Sequence, residues 1–266
     1  MVFEEIFHIS KPIIGMVHLP PLPLSPQWTG EGYDSFFQFA LQDAHALEQG
    51  GVDGVILENQ NDIPFLPREV SPVTVAYMAA LGRDLRRQVD LPLGINILFN
   101  DWQSEIAVAA AVGASFIRVE VLVDPSWSDM GYLEACAPDL LRLRQTLRSD
   151  VRIFADVQGK YTVPCSPRPL ADSAQDAQNR GLADAVIITG SGTGHSASLE
   201  DIRQVKKSIH IPVLVGSGVT PQNLTEMLSA ADGAIVGSFF KRDGELANPV
   251  DADRVRQIVE TARKVR

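Results

Sequence analysis

Cysteine is scarce in this chain: Cys136 and Cys165 are the only two in 266 residues, and neither sits at a metal-ligand spacing. That argues against a disulfide-stapled scaffold or a cysteine-held zinc site and suits a reducing compartment. Also missing is any apolar run near the roughly 20 residues that a membrane-spanning helix needs. Positive charge is in deficit, with 23 Lys and Arg against 33 Asp and Glu, a formal net charge of −10. So acidic a chain is a poor candidate for binding nucleic acid or for polybasic attachment to anionic lipid. The opening stretch, Met1-Val-Phe-Glu-Glu-Ile, carries acids where a signal peptide carries bases, so a cytoplasmic location is expected.

The remaining composition, 45% hydrophobic and 21% charged, is that of an ordinary globular protein. The length lies close to the roughly 250 residues of one (β/α)8 barrel, which favours a single domain over residues 1–266. Short apolar runs at 13–17, 55–57, 93–97, 116–121, 151–157, 185–189, 213–215 and 234–236 read as strands buried on both faces. Between and after them, helical periodicity covers 36–47, 73–85, 106–112, 133–147, 171–178, segments starting at 199 and 222, and 251–265. The alternation predicts an α/β fold, a single (β/α)8 TIM barrel. Helix-to-strand junctions at Gly51, Gly113, Gly181 and Ala231 support it, since Gly past a helix end supplies a left-handed cap. An open doubly wound sheet fits less well, because no Gly-rich dinucleotide turn follows the first strand.

One connection is long. Residues 18–34 form a loop between the first strand and first helix, stiffened by four prolines, Pro20, Pro21, Pro23 and Pro26. Its Leu22, Leu24 and Trp28 predict a lid that packs back on the barrel mouth, against the alternative of a Pro-rich SH3-type ligand.

In such a barrel chemistry sits at the C-terminal ends of the strands. Polar residues there give His18, Glu58, Glu120, Asp156 and Lys160 as candidates for acid–base or nucleophilic work. Asn59, Asn96, Asn100, Arg118, Thr189, Gly190 and Gly192 are candidates for holding a polar ligand, with Asp101 beside them. Small residues end the last two strands, Gly216, Ser217 and Gly218, then Gly237 and Ser238, and predict a phosphate-binding site formed by strands seven and eight. Asp156, Gln158 and Lys160 share one side if the chain stays extended, so Asp156 and Lys160 could relay a proton, support a Schiff base or form a salt bridge. Glu58 is either a base, a hydroxyl or metal partner, or part of a polar turn. Glu58, Glu120 and Asp156 could converge on a divalent metal ion, although no spacing demands one. Gly190-Ser-Gly-Thr-Gly-His195 lacks the Lys-Ser/Thr of a nucleotide-hydrolysing loop and reads as a flexible cover over phosphate or sugar. Arg254, Arg256, Arg263, Lys264 and Arg266 read as a solvated basic face of the last helix.

Five segments together resemble the BtpA/SgcQ family: His18-Leu-Pro-Pro-Leu-Pro, Glu58-Asn-Gln-Asn-Asp-Ile-Pro-Phe65, Gly94-Ile-Asn-Ile-Leu-Phe-Asn-Asp101, Gly216-Ser-Gly-Val-Thr-Pro-Gln-Asn223 and Ala231-Asp-Gly-Ala-Ile-Val-Gly-Ser-Phe-Phe-Lys241. The first two are the more specific, while the last two are shared with many phosphate-binding barrels. The resemblance implies a (β/α)8 barrel. It also implies two kinds of relative, a photosystem I biogenesis factor peripheral to the cytoplasmic face of thylakoids, and carbohydrate-utilisation proteins taken to be enzymes with no established reaction. The chain departs from the family pattern where Glu120 replaces an Asn, in the loop 123–131, which lacks a Gly-Ala pair, and at Gly159 and Tyr161.

Two functions follow. One is an enzyme for a small phosphorylated, sugar-type ligand, running isomerase, epimerase or aldol-type proton transfer. The other is a non-catalytic assembly factor for photosystem I reaction-centre subunits at the thylakoid surface. A homo-oligomer is expected in either case.

Overall fold

The computed structural model describes residues 2–190, 192 and 194–266. Eight parallel strands close into a barrel. They are β1 (Ile13–His18), β2 (Gly54–Glu58), β3 (Leu93–Asn96), β4 (Phe116–Val119), β5 (Arg152–Asp156), β6 (Ala185–Ile188), β7 (Val213–Val215) and β8 (Gly233–Val236). Each is followed by a helix: α1 (Tyr33–Gly50), α2 (Pro72–Leu85), α3 (Trp102–Val112), α4 (Ala137–Thr146), α5 (Leu170–Asn179), α6 (Leu199–Ser208), α7 (Leu224–Ala230) and α8 (Ala252–Arg263). Closure is made by β1 against β8, with Ile13, Ile14 and Gly15 in register with Ala234, Ile235 and Val236.

Strand alternation sorts the apolar residues into two cores. Outward positions such as Ile13, Val17, Val55, Leu57, Ile153 and Val186 pack under the helices. Inward positions, among them Ile14, Met16, Ile56, Phe116, Phe154, Ile187, Leu214 and Ile235, fill the lower barrel. Every strand is buried on both faces, as its continuous apolar run predicts.

Three features differ from the sequence reading. A short helix, Val2–Phe7, precedes β1 and closes the barrel bottom with Phe3 and Phe7. Phe7 meets Phe116 edge-on at 5.6 Å and Phe116 stacks on Phe154 at 4.5 Å between centroids. Glycines make room for these rings: a Cβ on Gly54 would lie 2.6 Å from Phe7, and one on Gly94 2.4 Å from Phe116. Second, the segment from 133 is not helical at its start. Leu133 belongs to a small antiparallel sheet in which Ser126–Ser128 lies between Gly131–Leu133 and Thr162–Pro164. Short strands in βα loops carry too few residues to show a period. Third, the left-handed cap falls on glycine at only two of the four junctions, Gly51 (φ 88) and Gly113 (φ 73). After α5 the positive φ passes to Leu182, and Ala231 is extended.

The loop 18–34 runs from the end of β1 to the start of α1. Leu22 is buried, and its N–H donates to Asp62 Oδ1 at 2.7 Å. Leu24 and Trp28 remain exposed. Leu24, Ser25 and Pro26 line a cavity with Asn59, Phe65 and Leu66 of the next βα loop.

Candidate active site

The inward columns change character near their C-terminal ends. Two residues after Met16 comes His18, after Ile56 Glu58, after Phe116 Arg118 and then Glu120, and after Phe154 Asp156. All five polar residues are buried, which is costly unless they satisfy one another. Arg118 is the hub. Its Nε and Nη2 donate to Asp156 at 2.8 and 3.2 Å, and its Nη1 lies 3.9 Å from Glu58 Oε2. The other Glu58 oxygen is 3.5 Å from His18 Nε2. Burial works against the charge of Arg118, but Asp156, then Glu58 and Glu120, outweigh it and hold its pKa above the ordinary value.

This arrangement bears on two questions raised by the sequence. Asp156 pairs with Arg118, and Lys160 forms no ion pair among the described residues. The Asp156–Lys160 salt bridge is therefore absent, because the chain leaves the strand after Asp156. Gln158 has a positive φ of 48° and gives its amide to Arg168 O and Ser173 Oγ, away from the barrel axis. The carboxylates do not converge on a metal position either: the guanidinium bonds one and lies beside another. Among the described residues no group of three or more His, Cys, Asp and Glu is arranged to hold a metal ion.

Proton affinities in the cluster are displaced from their ordinary values. Burial pushes Glu120 up to about 7, against the pull of Arg118, while Asp156 adds repulsion. Glu58 is also raised by burial, opposed by Arg118 and Lys160. Lys160 is lowered, first by burial and then by Arg118. His18 falls well below its usual range through burial and the charges of Lys241, Lys160 and Arg118, so it is a neutral imidazole. Its Nδ1 is buried without a hydrogen-bond partner among the described residues. Glu120 accepts from Asn96 Nδ2 at 2.7 Å, and the same amide lies 3.5 Å from Glu105 of α3. Glu105, fully buried, is raised well above the carboxylate range by burial and by Glu120.

Above this floor the mouth has two lobes. The first, about 480 Å³ of space open to solvent, is lined by His18, Lys160, Gly194, Gly216, Ser217, Gly218, Val219, Gly237, Ser238 and Phe239. Among the described residues, no protein acceptor takes the backbone N–H of Gly218, Gly237 or Ser238. Gly237 lies close under the imidazole, where a Cβ would sit 3.0 Å from His18 Cε1. The end of β8 is anchored from behind by Lys241, whose Nζ donates to Asp43 Oδ2 at 2.5 Å inside the protein. The second lobe, about 380 Å³, is lined by Phe65, Leu98, Phe99 and Tyr161 over Asn96, Glu120 and Asp156. Glu58, Gln60, Arg118 and Lys160 line both.

Other candidates turn out to hold loops together. Asn59 accepts from Leu98 N at 2.8 Å and donates to Asp62 and to Leu98 O, clamping the loop after β2 to the loop after β3. Asn100 does the same between the loops after β3 and β4, accepting from Val121 N and donating to Glu134 O. Thr189 Oγ1 accepts from Lys160 N, and Asp101 caps α3. The Ser217 hydroxyl accepts from Gly190 N and donates to His195 O, so it pins the loop after β6. Gly190 and Gly218 are demanded by that packing, where a Cβ would lie 2.3 Å from His195 O or Ser196 N. Gly192 lies against His195 and Tyr161; Ser191 and Thr193 of the same loop lie outside the described residues. Arg254 is not part of a solvated face: it covers the Phe239 ring at 4.4 Å and donates to Phe239 O. Sequence reading missed Gln60, Phe65, Phe99, Tyr161 and Lys241. Only Gln60 had a local signal, its period-two spacing from Glu58.

Known proteins extend these findings. A solved (S)-3-O-geranylgeranylglyceryl phosphate synthase from Thermoplasma acidophilum, in complex with sn-glycerol-1-phosphate, superposes with a TM-score of 0.65 at 16% identity, covering 99% of this chain and 97% of that one. An N-(5'-phosphoribosyl)anthranilate isomerase from Pyrococcus furiosus gives 0.60 at 15% identity, over 96% and 100% of the two chains. At such identity the likeness is one of fold. Relatives in sequence run nearer. An uncharacterised protein of Thermococcus kodakarensis is 43% identical over 96% of this chain and 97% of its own length. The photosystem I biogenesis protein BtpA of Synechocystis sp. is 41% identical over 96% and 89%. Among the described residues no helix is long and apolar enough to cross a membrane. The BtpA family profile matches residues 9–264, and the chain belongs to the BtpA family.

Proposed function

We propose that the protein is an enzyme that binds a small phosphorylated, sugar-type molecule and moves a proton at a carbon next to a carbonyl group. The observation that carries this reading is the junction of the two lobes, where Arg118 and Lys160 meet carboxyls of raised proton affinity beside unpaired backbone N–H groups. Backbone amides at the ends of β7 and β8 suit a phosphate dianion, which needs several donors and no counter-acid. Glu120, with a proton affinity near neutrality, is suited to take and return a proton. Lys160, without an ion pair among the described residues and with its pKa lowered by burial and Arg118, is suited to act as base or nucleophile. Arg118, locked by Asp156, would stabilise the oxyanion that forms as the proton leaves. Isomerisation, epimerisation and an aldol-type step all fit this equipment.

The test has two stages. Inorganic phosphate and sugar phosphates should raise the melting temperature, since a ligand of the native state stabilises it. Phosphorylated aldoses and ketoses incubated with the protein in D2O should then exchange a carbon-bound hydrogen, and Glu120→Gln should suppress the exchange. If no phosphorylated compound shifts the melting temperature of the wild type, the reading is wrong.

A second reading, an assembly factor for membrane-protein subunits, has one favourable observation besides the Synechocystis relative. Trp127, Tyr132 and Val163 lie in adjacent register on the antiparallel sheet and are all exposed. Such a face suits a protein contact.

A further inference from the structure

The two lobes differ in what their walls can bond, and the difference bears on the ligand. The lobe at β7 and β8 presents backbone N–H groups, the Ser217 and Ser238 positions and Lys160. The other presents a mostly apolar wall over a polar floor. Phe65 comes from the loop after β2, Leu98 and Phe99 from the loop after β3, and Tyr161 from the loop after β5. Phe65 and Phe99 lie 6.1 Å apart between centroids, tilted at 43°, and pack with Leu98 and Leu133 in one apolar cluster. The polar residues below, Asn96, Glu120 and Asp156, are buried, with Asp156 bonded to Arg118 and Glu120 to Asn96 Nδ2 and the Asn100 N–H, while Asn96 Oδ1 has no partner among the described residues. Between the lobes lie Glu58, Gln60, Arg118 and Lys160, which reach both.

A chain of hydroxyls laid against Phe65, Leu98 and Phe99 would lose its water there and gain no donor or acceptor from those three side chains in return. A flat or unsaturated hydrocarbon would lose nothing and would remove apolar surface from water. Building on the phosphate reading above, we infer that the ligand is a phosphate monoester carrying an aromatic or unsaturated hydrocarbon group at its far end. The phosphate lies at Gly218, Gly237 and Ser238. The oxygenated, reacting part lies over Arg118 and Lys160, and the hydrocarbon lies among Phe65, Leu98, Phe99 and Tyr161. A plain sugar phosphate would fill the first lobe and the junction and leave the second wet.

Calorimetric titration of the full chain tests this with inorganic phosphate, ribose 5-phosphate and a phenylalkyl phosphate series from benzyl to 4-phenylbutyl. At least one phenylalkyl phosphate should bind about tenfold or more tightly than ribose 5-phosphate, the scale on which pockets sense an added hydrocarbon group. The pair Phe65→Ala with Tyr161→Ala should erase that preference and leave the affinity for inorganic phosphate within about twofold. If no phenylalkyl phosphate outbinds ribose 5-phosphate in the wild type, or if the preference survives the double substitution, the inference is overturned and the phosphate reading stands. If inorganic phosphate and every phosphate ester fail to bind, the phosphate reading falls and this inference with it.

Discussion

The lower and upper halves of the barrel interior are built from the same strands and face the same axis, yet they obey opposite rules. Below, Phe116 and Phe154 stack under Phe3 and Phe7, and burial is itself the source of stability. Two residues further along β4 and β5, Arg118 and Asp156 are as deeply buried, and there burial is a cost that only mutual pairing offsets. The comparison teaches that a barrel strand can hold an apolar, stabilising segment and a buried charged one at a distance of one pleat. It also predicts how each half breaks.

The largest effect is expected at the floor. Phe154→Ala should cost about 3–5 kcal/mol by urea denaturation, through lost transfer energy and a cavity that the packed rings cannot collapse into. A loss below about 1 kcal/mol would mean that the ring stack is not what holds the lower barrel together. Arg118→Met comes next. At neutral pH it should cost about 3 kcal/mol, because Asp156 and Glu58 lose their counter-charge while staying buried. The same variant should recover as the pH falls and the carboxyls are neutralised. A pH-independent loss would identify a packing role and dissolve the contrast between the halves.

Glu120→Gln should act in the opposite sense on stability. Burial raises the folded pKa of Glu120 from 4.5 to about 7, so the proton favours the folded state. That contribution is complete below about pH 4.5 and is lost as the pH rises through 7. Gln imitates the protonated acid, so the variant should match the wild type near pH 4 and exceed it by about 1–3 kcal/mol at pH 8. Equal stability curves would show Glu120 to be ordinary. The smallest effect belongs outside the barrel: Trp127→Ser, on the exposed sheet, should change folding stability by no more than about 0.5 kcal/mol. A larger loss by thermal denaturation would make that sheet part of the fold.

The same contrast explains what could be read from the sequence. The barrel was legible because each strand is an unbroken apolar run and each helix restores a 3.6-residue period. The inward column His18, Glu58, Arg118, Glu120 and Asp156 was legible too, because alternation carries it two residues past each apolar neighbour. The pairing within the column was not. Arg118 faces Phe154 in the strand register and reaches Asp156 only through its long side chain, a tertiary fact with no local trace. Amides misled for a related reason: Asn59 and Asn100 look like ligand contacts at strand ends, but their partners are backbone groups some 20 to 40 residues away. The N-terminal helix was overlooked because its six residues are too few for a period, although Phe3 and Phe7 stand four apart, as one helix face requires.

That small helix has a consequence for traffic. Among the described residues Phe3 and Phe7 fill the lower end, so on the proposed reading substrate and product would both use the mouth above Arg118. Two molecules that need the same lobe cannot pass one another, so each must wait for the other to leave. On the proposed reading, inhibition by a product, or by any look-alike, would then be competitive as a matter of plumbing.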